Sequence, residues 1–397
     1  MEKLKIAVHY GADAVYMGGK AFGLRNLADN FTTEEMAEAL SYCHARSVKA
    51  YLTINSYPHN ASLPSLETYL EEVAGLPFDA YIVADPGVIE LVKNISPERE
   101  LHLSTQANTI NWRSVSFWQK QGIKRFNLAR ETTLKAMQET VDRTAAEIEV
   151  FVHGALCISY SGRCLLSSAM SGRNANLGEC SHPCRWNYHL MEETRPGEYF
   201  PVMEDQNGTF IFNSRDLCLL EYLPEIVSAG AASLKIEGRM KGANYVASVL
   251  RVYRKALDAY LENPSAYQCQ PEWMDELSKL SHRGYTTGFL FGEPRNVGQE
   301  YHAAYIRTHE FVGIVESTDT DGHTLIEVRN RIRQGDRLEF IGPDMRSDFI
   351  VVDNMQLADA KAGFSPVASA NPNQHIRLQL PFKVSPFDLL RREKGAP

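Results

Sequence analysis

The sequence predicts an α/β protein: a TIM-like (β/α) barrel that carries an insertion, followed by a small C-terminal β-barrel domain. Three observations lead there. Short apolar runs recur through the first 240 residues, with steps of roughly 22 to 36 residues between most of them. Several of these runs are continuous rather than alternating, as a strand covered on both faces requires. The stretches between them have helical spacing, and strands alternating with helices argue for parallel pairing through right-handed crossovers.

The runs are DAVYMG (13–18), KAYLTI (49–54), AYIVAD (80–85), LHLSTQ (101–106), RFNLAR (125–130), EVFVHG (149–154) and SLKIEG (233–238). A closed barrel of this kind has eight strands. The chain opens on a helix-like segment, EKLKIAVHYG, so the first strand is missing from the count and is expected ahead of Met1. An open doubly wound sheet is the other arrangement of the same elements. Between the first two runs, TTEEMAEALSYCHAR (32–46) reads as a helix capped by Thr33 before an acidic first turn. Cys43 shares its apolar face with Met36 and Leu40 and reads as a core residue.

Residues 155–214 interrupt the rhythm as an insertion after a strand C-terminus, the side on which barrels build active sites. Within it, 187–193 and 209–214 read as antiparallel strands, and the delayed helix is placed at 214–230. A further amphipathic helix is expected over 248–262. The barrel domain then spans 1–284, and 285–397 holds a linker and five short strands over 303–385, with a turn at Asp321–Gly322.

Composition is that of an ordinary globular chain, 44% hydrophobic and 23% charged, with a net charge of −8. That charge gives no global support for nucleic-acid binding, which depends on a local basic patch. No segment approaches the roughly 20 apolar residues of a membrane helix, and the N-terminus lacks the pattern of a signal peptide. A cytoplasmic location is expected.

Of seven cysteines, Cys157, Cys164, Cys180 and Cys184 crowd into 28 residues. In a reducing compartment this reads as metal ligation or redox chemistry rather than a disulfide framework. The spacing C-x6-C-x15-C-x3-C is not that of a zinc finger or a ferredoxin, so it supports a metal site without naming the metal. Zinc and four reduced structural cysteines are the alternatives at this point. Gly154, Gly162, Gly172 and Gly178 allow sharp turns that aim backbone N–H groups at a bound group.

Residues 149–167, EVFVHGALCISYSGRCLLS, resemble the signature of peptidase family 32 of unknown catalytic type, the collagenase-like proteases. Glu149, Phe151, Gly154, Ala155, Leu156, Cys157, Gly162, Cys164, Leu166 and Ser167 match the pattern. GADAVYMGG (11–19), FGLR (22–25), ADNF (28–31), HLSTQ (102–106), LARE (128–131) and KIEGRMK (235–241) resemble the same family. The block GRCLLSS…CSHPCRWNY is most similar to the tRNA hydroxylation branch. That resemblance implies 5-hydroxylation of the tRNA wobble uridine with prephenate as a required metabolite. It also implies a 4Fe-4S cluster on Cys157, Cys164, Cys180 and Cys184, and leaves room for a paralogous partner subunit. The family label implies proteolysis as the alternative; a metal-stabilised scaffold is the third.

A peptidase needs an activated nucleophile or water, and the chain has neither HExxH nor GxSxG. Ring hydroxylation needs electron or oxygen transfer, which a cofactor performs better than side chains. On that reading, His153, Glu237 and Arg130 at strand C-termini are the candidate catalytic residues. Gln106, Glu131, Arg239, Lys241 and Trp186 are the candidate substrate-binding ones. Arg130 and Arg239 suit a dicarboxylate such as prephenate. Lys235, Arg239, Lys241, Arg163, Arg173 and Arg185 suit RNA phosphates, and Trp186 suits a flipped base.

Overall fold

The computed structural model describes residues 1–24, 30–157, 159–185, 189–190, 200–201, 215–282, 284–292, 308–359 and 363–394. Two compact units divide the chain by internal contacts. The first comprises Met1, residues 13–240 and 282–305; the second comprises 2–12, 241–281 and 306–397. Helix α1 (Glu2–His9) opens the chain and belongs to the second unit. The sequence-based division at 284/285 follows the order of segments, whereas these units follow their packing.

In the first unit, β1 (Ala14–Met17), β2 (Lys49–Ile54), β3 (Ala80–Val83), β4 (Leu101–Leu103), β5 (Arg125–Asn127) and β6 (Glu147–Ala155) pair in parallel in chain order. Their connections carry α2 (Thr33–His44), α3 (Leu63–Ala74), α4 (Pro86–Ile95), α5 (Trp112–Lys120) and α6 (Leu134–Thr144). Beyond β6 come α7 (Leu166–Ser171), the two-residue partners β7 (His189–Leu190) and β8 (Phe200–Pro201), then β9 (Asp216–Cys218), α8 (Leu223–Ser228) and β10 (Ala231–Ile236). β10 runs parallel to β6. The seven expected strands all form, and their order never reverses, as a doubly wound sheet would require. This is a TIM-like arrangement. The two ends of the parallel run meet through side chains: the Tyr16 hydroxyl of β1 donates to Glu237, just past β10, at 3.0 Å.

Four of the helices begin where a short polar side chain satisfies free N–H groups. Asp85 caps α4, Asn111 caps α5 and Thr133 caps α6. At α2 the cap is Thr32 rather than the expected Thr33. Only Thr32 places Glu35 three residues on, where its carboxylate accepts from the Thr32 N–H at 2.8 Å in a reciprocal capping box. Cys43 is buried on this helix, as expected.

The helix expected over 214–230 is shorter. Asp216–Cys218 pair antiparallel with the end of β6, and the α-helix starts at Leu223 with Pro224 in its first turn. Helix α9 (Ala243–Glu262) starts five residues before the expected 248. The strand expected over 187–193 lies largely outside the described residues, and that over 209–214 wholly so. β11 (Tyr285–Thr286) pairs with β9.

In the second unit, α1, α9 and α10 (Pro271–Ser278) accompany an antiparallel β domain. It contains β12 (His309–Thr318), β13 (His323–Val328), β14 (Ile332–Arg333), β15 (Arg337–Ile341), β16 (Ser347–Val351), β17 (Gln356–Asp359), β18 (Gly363–Pro366), β19 (Ser369–Ala370), β20 (His375–Gln379) and β21 (Leu389–Glu393). The main sheet runs β16-β15-β21-β12-β13-β20-β17-β18, with β14 and β19 paired apart. The domain thus has more strands than the five expected. β17 and β18 lack an apolar run, and β21 reads LLRRE, whose charges hide its place in the sheet. The turn at Asp321–Gly322 joins β12 and β13 as expected, with Gly322 at φ +82°. Ile6, Tyr10, Ala247, Ile314, Ile341 and Leu389 form one core between the helices and the sheet. No helix among the described residues is long and apolar enough to cross a membrane.

Candidate active site

Inside the first unit, Glu149 of β6 and Lys235 of β10 form a buried ion pair of 2.8 Å. Ser233 and Asn127 donate to the same carboxylate at 2.9 and 3.0 Å. Burial alone would raise the Glu149 pKa, but Lys235 and Ser233 hold it below the ordinary carboxyl value. The Lys235 ammonium lies 4.5 Å from the Tyr16 ring centre and 5.6 Å from that of Phe151. Lys235 is therefore an interior residue and not part of a phosphate-binding rim.

One step toward the strand C-termini stands Glu237. It accepts from the Tyr16 hydroxyl and, at 3.1 Å, from the Arg239 N–H. Gly154 at φ +128° permits this approach, because a Cβ there would lie 2.9 Å from the Glu237 Cβ. Arg239 reaches across the ends of β1 and β2, donating to Thr53 Oγ1 at 3.3 Å and to Asn30 Oδ1 at 2.7 Å. Tyr16, Glu237, Thr53, Asn30 and Arg239 thus form one polar group at the barrel mouth. The sequence reading included Glu237 and Arg239 and missed Tyr16, Thr53 and Asn30. Tyr16 and Thr53 are polar residues near the C-terminal ends of predicted strands, the same signal that singled out Glu237.

The guanidinium of Arg130 lies 4.0 Å from the centre of the Phe151 ring. Glu131 accepts the Ser161 N–H at 3.1 Å and the Ser161 hydroxyl at 3.3 Å, so it fastens the cysteine segment to the end of β5. Gln106 sits in the turn after β4, where its carbonyl accepts the Tyr57 hydroxyl at 2.5 Å. His153 is buried, its ring 5.5 Å from Tyr285, which stacks on His282 at 4.5 Å. Burial, with Cys218 and Asp216 nearby, pushes the Tyr285 hydroxyl pKa far up. Lys241 belongs to the second unit, its ammonium over the Tyr245 ring, and Trp186 lies outside the described residues.

The cysteine segment folds back on itself. Ser167 and Ser171 of α7 bond Ser181 at 3.1 and 2.6 Å, which ties the stretch after Cys164 to the one holding Cys180. α7 also contacts the single turn Pro183–Arg185 that carries Cys184. Cys157 is exposed as a residue, yet its thiol is desolvated enough to raise its pKa. The charges of Cys164 and Cys180 add to that, and Arg130 opposes it.

Two glycines shape the cradle. A Cβ on Gly162 (φ +73°) would collide with the Gln106 carbonyl, and one on Gly178 (φ +89°) would lie 2.5 Å from the Gly23 carbonyl. Four cysteines carried on one folded-back, glycine-shaped segment offer the donor type that suits a thiophilic metal group.

The profile of Peptidase family U32 matches residues 1–300, and that of its C-terminal domain matches residues 307–391. The chain is 40% identical over 396 residues to tRNA hydroxylation protein P1 of Bacillus subtilis, covering 99% of this chain and 93% of that one. It is 35% identical over 410 residues to tRNA hydroxylation protein P of Escherichia coli, covering 93% and 89%. A protein of Methanocaldococcus jannaschii called an uncharacterized protease is 36% identical over 364 residues, covering 89% and 88%. With both of its domains matched, and with relatives aligned along nearly its full length, this chain belongs to peptidase family U32.

Proposed function

We propose that this protein is an RNA-hydroxylating enzyme acting on the wobble uridine of tRNA, with an iron–sulfur cluster held by Cys157, Cys164, Cys180 and Cys184. The observation that carries the reading is the fold-back of the cysteine segment after β6, in which Ser167 and Ser171 bond Ser181 and α7 contacts the turn that carries Cys184. Full-length similarity to proteins named for tRNA hydroxylation supports the substrate class. A 4Fe-4S group so held supplies one-electron chemistry that side chains lack.

The chain's own residues have separate tasks. Arg130, near Cys157, offsets the negative charge of the thiolates. Glu131 fixes the segment through Ser161. Glu237, oriented by Tyr16 and by the Arg239 N–H, holds or accepts a proton at its carboxylate oxygen. Arg239 presents charge at the mouth for an anionic co-substrate, and prephenate, a dicarboxylate, fits that role.

The test is anaerobic purification followed by iron, sulfide and zinc analysis, with Cys180→Ala as the comparison. About four irons and four sulfides per chain in the parent protein, lost in the variant, support the cluster. Zinc in stoichiometric amount, or no metal in protein purified without oxygen, overturns it. Wobble-uridine hydroxylation is then assayed on unmodified tRNA with and without prephenate. Cleavage of denatured collagen by the same preparation, without tRNA hydroxylation, would return the reading to proteolysis.

A further inference from the structure

The cysteine segment has one side fixed and one side bare. Ser161 is buried against Glu131, and Ser167, fully buried, bonds Ser181. Around these anchors the chain turns large apolar side chains to solvent: Tyr160 is 59%, Leu165 72% and Met170 48% exposed. They are three of the eleven large hydrophobic side chains exposed among the described residues, and all three fall between positions 160 and 170. Single exposed apolar residues are ordinary on a protein surface, whereas a group of them marks a contact. Local bonds keep the group together. The Arg163 N–H donates to the Tyr160 carbonyl at 3.0 Å, and the Ala169 N–H to that of Leu165 at 3.0 Å, which starts α7.

Two exposed arginines stand in the same strip, Arg163 beside Cys164 and Arg173 just past α7. Neither has a carboxylate partner among the described residues. Other arginines of the unit are committed: Arg125 to Glu147, Arg143 to Glu139, and Arg239 to Thr53 and Asn30. Glu179, the one acidic residue between Cys157 and Cys184, accepts instead from the Asn174 N–H at 3.4 Å. Apolar and cationic side chains thus alternate along the outer side of the segment that carries the cysteines.

We propose that this strip seats an unpaired RNA strand, with Tyr160 stacked on a base, Leu165 and Met170 packed against its neighbour, and Arg163 and Arg173 on phosphates. An unpaired base offers both of its faces to an aromatic ring, while a duplex keeps those faces in its own stack. The strand also supplies a negative charge at each nucleotide, which matches two free guanidinium groups set among apolar side chains. A partner protein would cover Tyr160 and Leu165 equally well but gives no account of those charges. This placement rests on the RNA-directed reading above, in which a base must leave its stack to be reached. It adds the surface that receives the strand and names Tyr160 as its stacking residue.

The test is a fluorescence-anisotropy titration of the anaerobically purified full chain with an unmodified anticodon stem–loop RNA, without prephenate. A blunt duplex of the same stem is the comparison, and the stem–loop is expected to bind more tightly. Tyr160→Ala is expected to weaken stem–loop binding about tenfold through the loss of one base stack, and Tyr160→Phe to keep the parent affinity. Arg163→Gln combined with Arg173→Gln is expected to flatten the slope of log affinity against log salt by about 1.4, the share of two single-strand phosphates. Tyr160→Ala leaves that slope unchanged. Metal content is measured for each variant; should Tyr160→Ala lose metal, the salt slope of the arginine variant decides. Binding that follows these variants in a protein that hydroxylates no tRNA keeps the surface and sinks the hydroxylase reading. Hydroxylation by the parent, with Tyr160→Ala and the arginine variant binding RNA as the parent does, overturns the surface alone. So does equal affinity for stem–loop and duplex, or self-association of the chain that Tyr160→Ala abolishes while RNA binding stays.

Discussion

Glu149 and Lys235 face each other inside the barrel with almost no solvent between them. Removing one member strands a buried charge, so Glu149→Gln is expected to cost about 3–5 kcal/mol in urea unfolding. Glu149→Leu combined with Lys235→Met is expected to cost clearly less, because no unpaired charge is left. In the second unit, burial would raise the Glu339 pKa, but Arg391, Ser347 and Lys279 bring it down to about 2 from 4.5. A depressed carboxyl contributes stability that is complete above its unfolded value and is lost as pH falls through the folded one. Unfolding midpoints are therefore expected to drop between pH 5 and pH 2, and Glu339→Gln, less stable at neutral pH, is expected to drop less over the same window. Glu149 was legible in the sequence as part of a motif. Its partner was not, because Lys235 in a run ending KIEGR reads as a surface base until β10 is laid against β6.

Elements are where local sequence speaks most directly. Thr32 and Glu35 specify the start of α2 by themselves, and Thr32→Ala is expected to lower stability by about 1 kcal/mol in thermal or urea melts. The seven parallel strands were readable because each is a short apolar run ending in a polar turn. α8 was misread because Leu217 and Cys218 are apolar enough to continue a helical pattern, while in the fold they extend the sheet beside β6. Gly162 belongs to this scale as well. It combines a positive φ with the close approach of the Gln106 carbonyl, so Gly162→Ala is expected to displace the cysteine segment without melting the barrel. The check is metal content against the circular-dichroism melt: if the proposed cluster is bound, a marked loss of metal with a nearly unchanged midpoint is the expected result.

At the scale of the whole molecule, the chain does not pack in the order in which it is written. α1 and residues 241–281 join the C-terminal strands, so the second unit is assembled from three separated stretches. Arg391 holds two of them, through Glu276 on α10 and Glu339 on β15. Arg391→Met leaves two buried carboxylates without their main partner, and is expected to destabilise the second unit by several kcal/mol. Hydrogen exchange is the measurement, with protection lost in α10 and β15 and retained in β2 and β3 of the first unit. The sequence by itself determined the class of fold, the seven parallel strands and the four clustered cysteines, because each rests on neighbours a few residues apart. Only the tertiary structure decided that Tyr16 orients Glu237, that Glu131 fastens the cysteine segment and that Lys235 is interior. Those relations join residues dozens to hundreds of positions apart, and pairing, burial and electrostatic range between such residues exist only once the chain has folded.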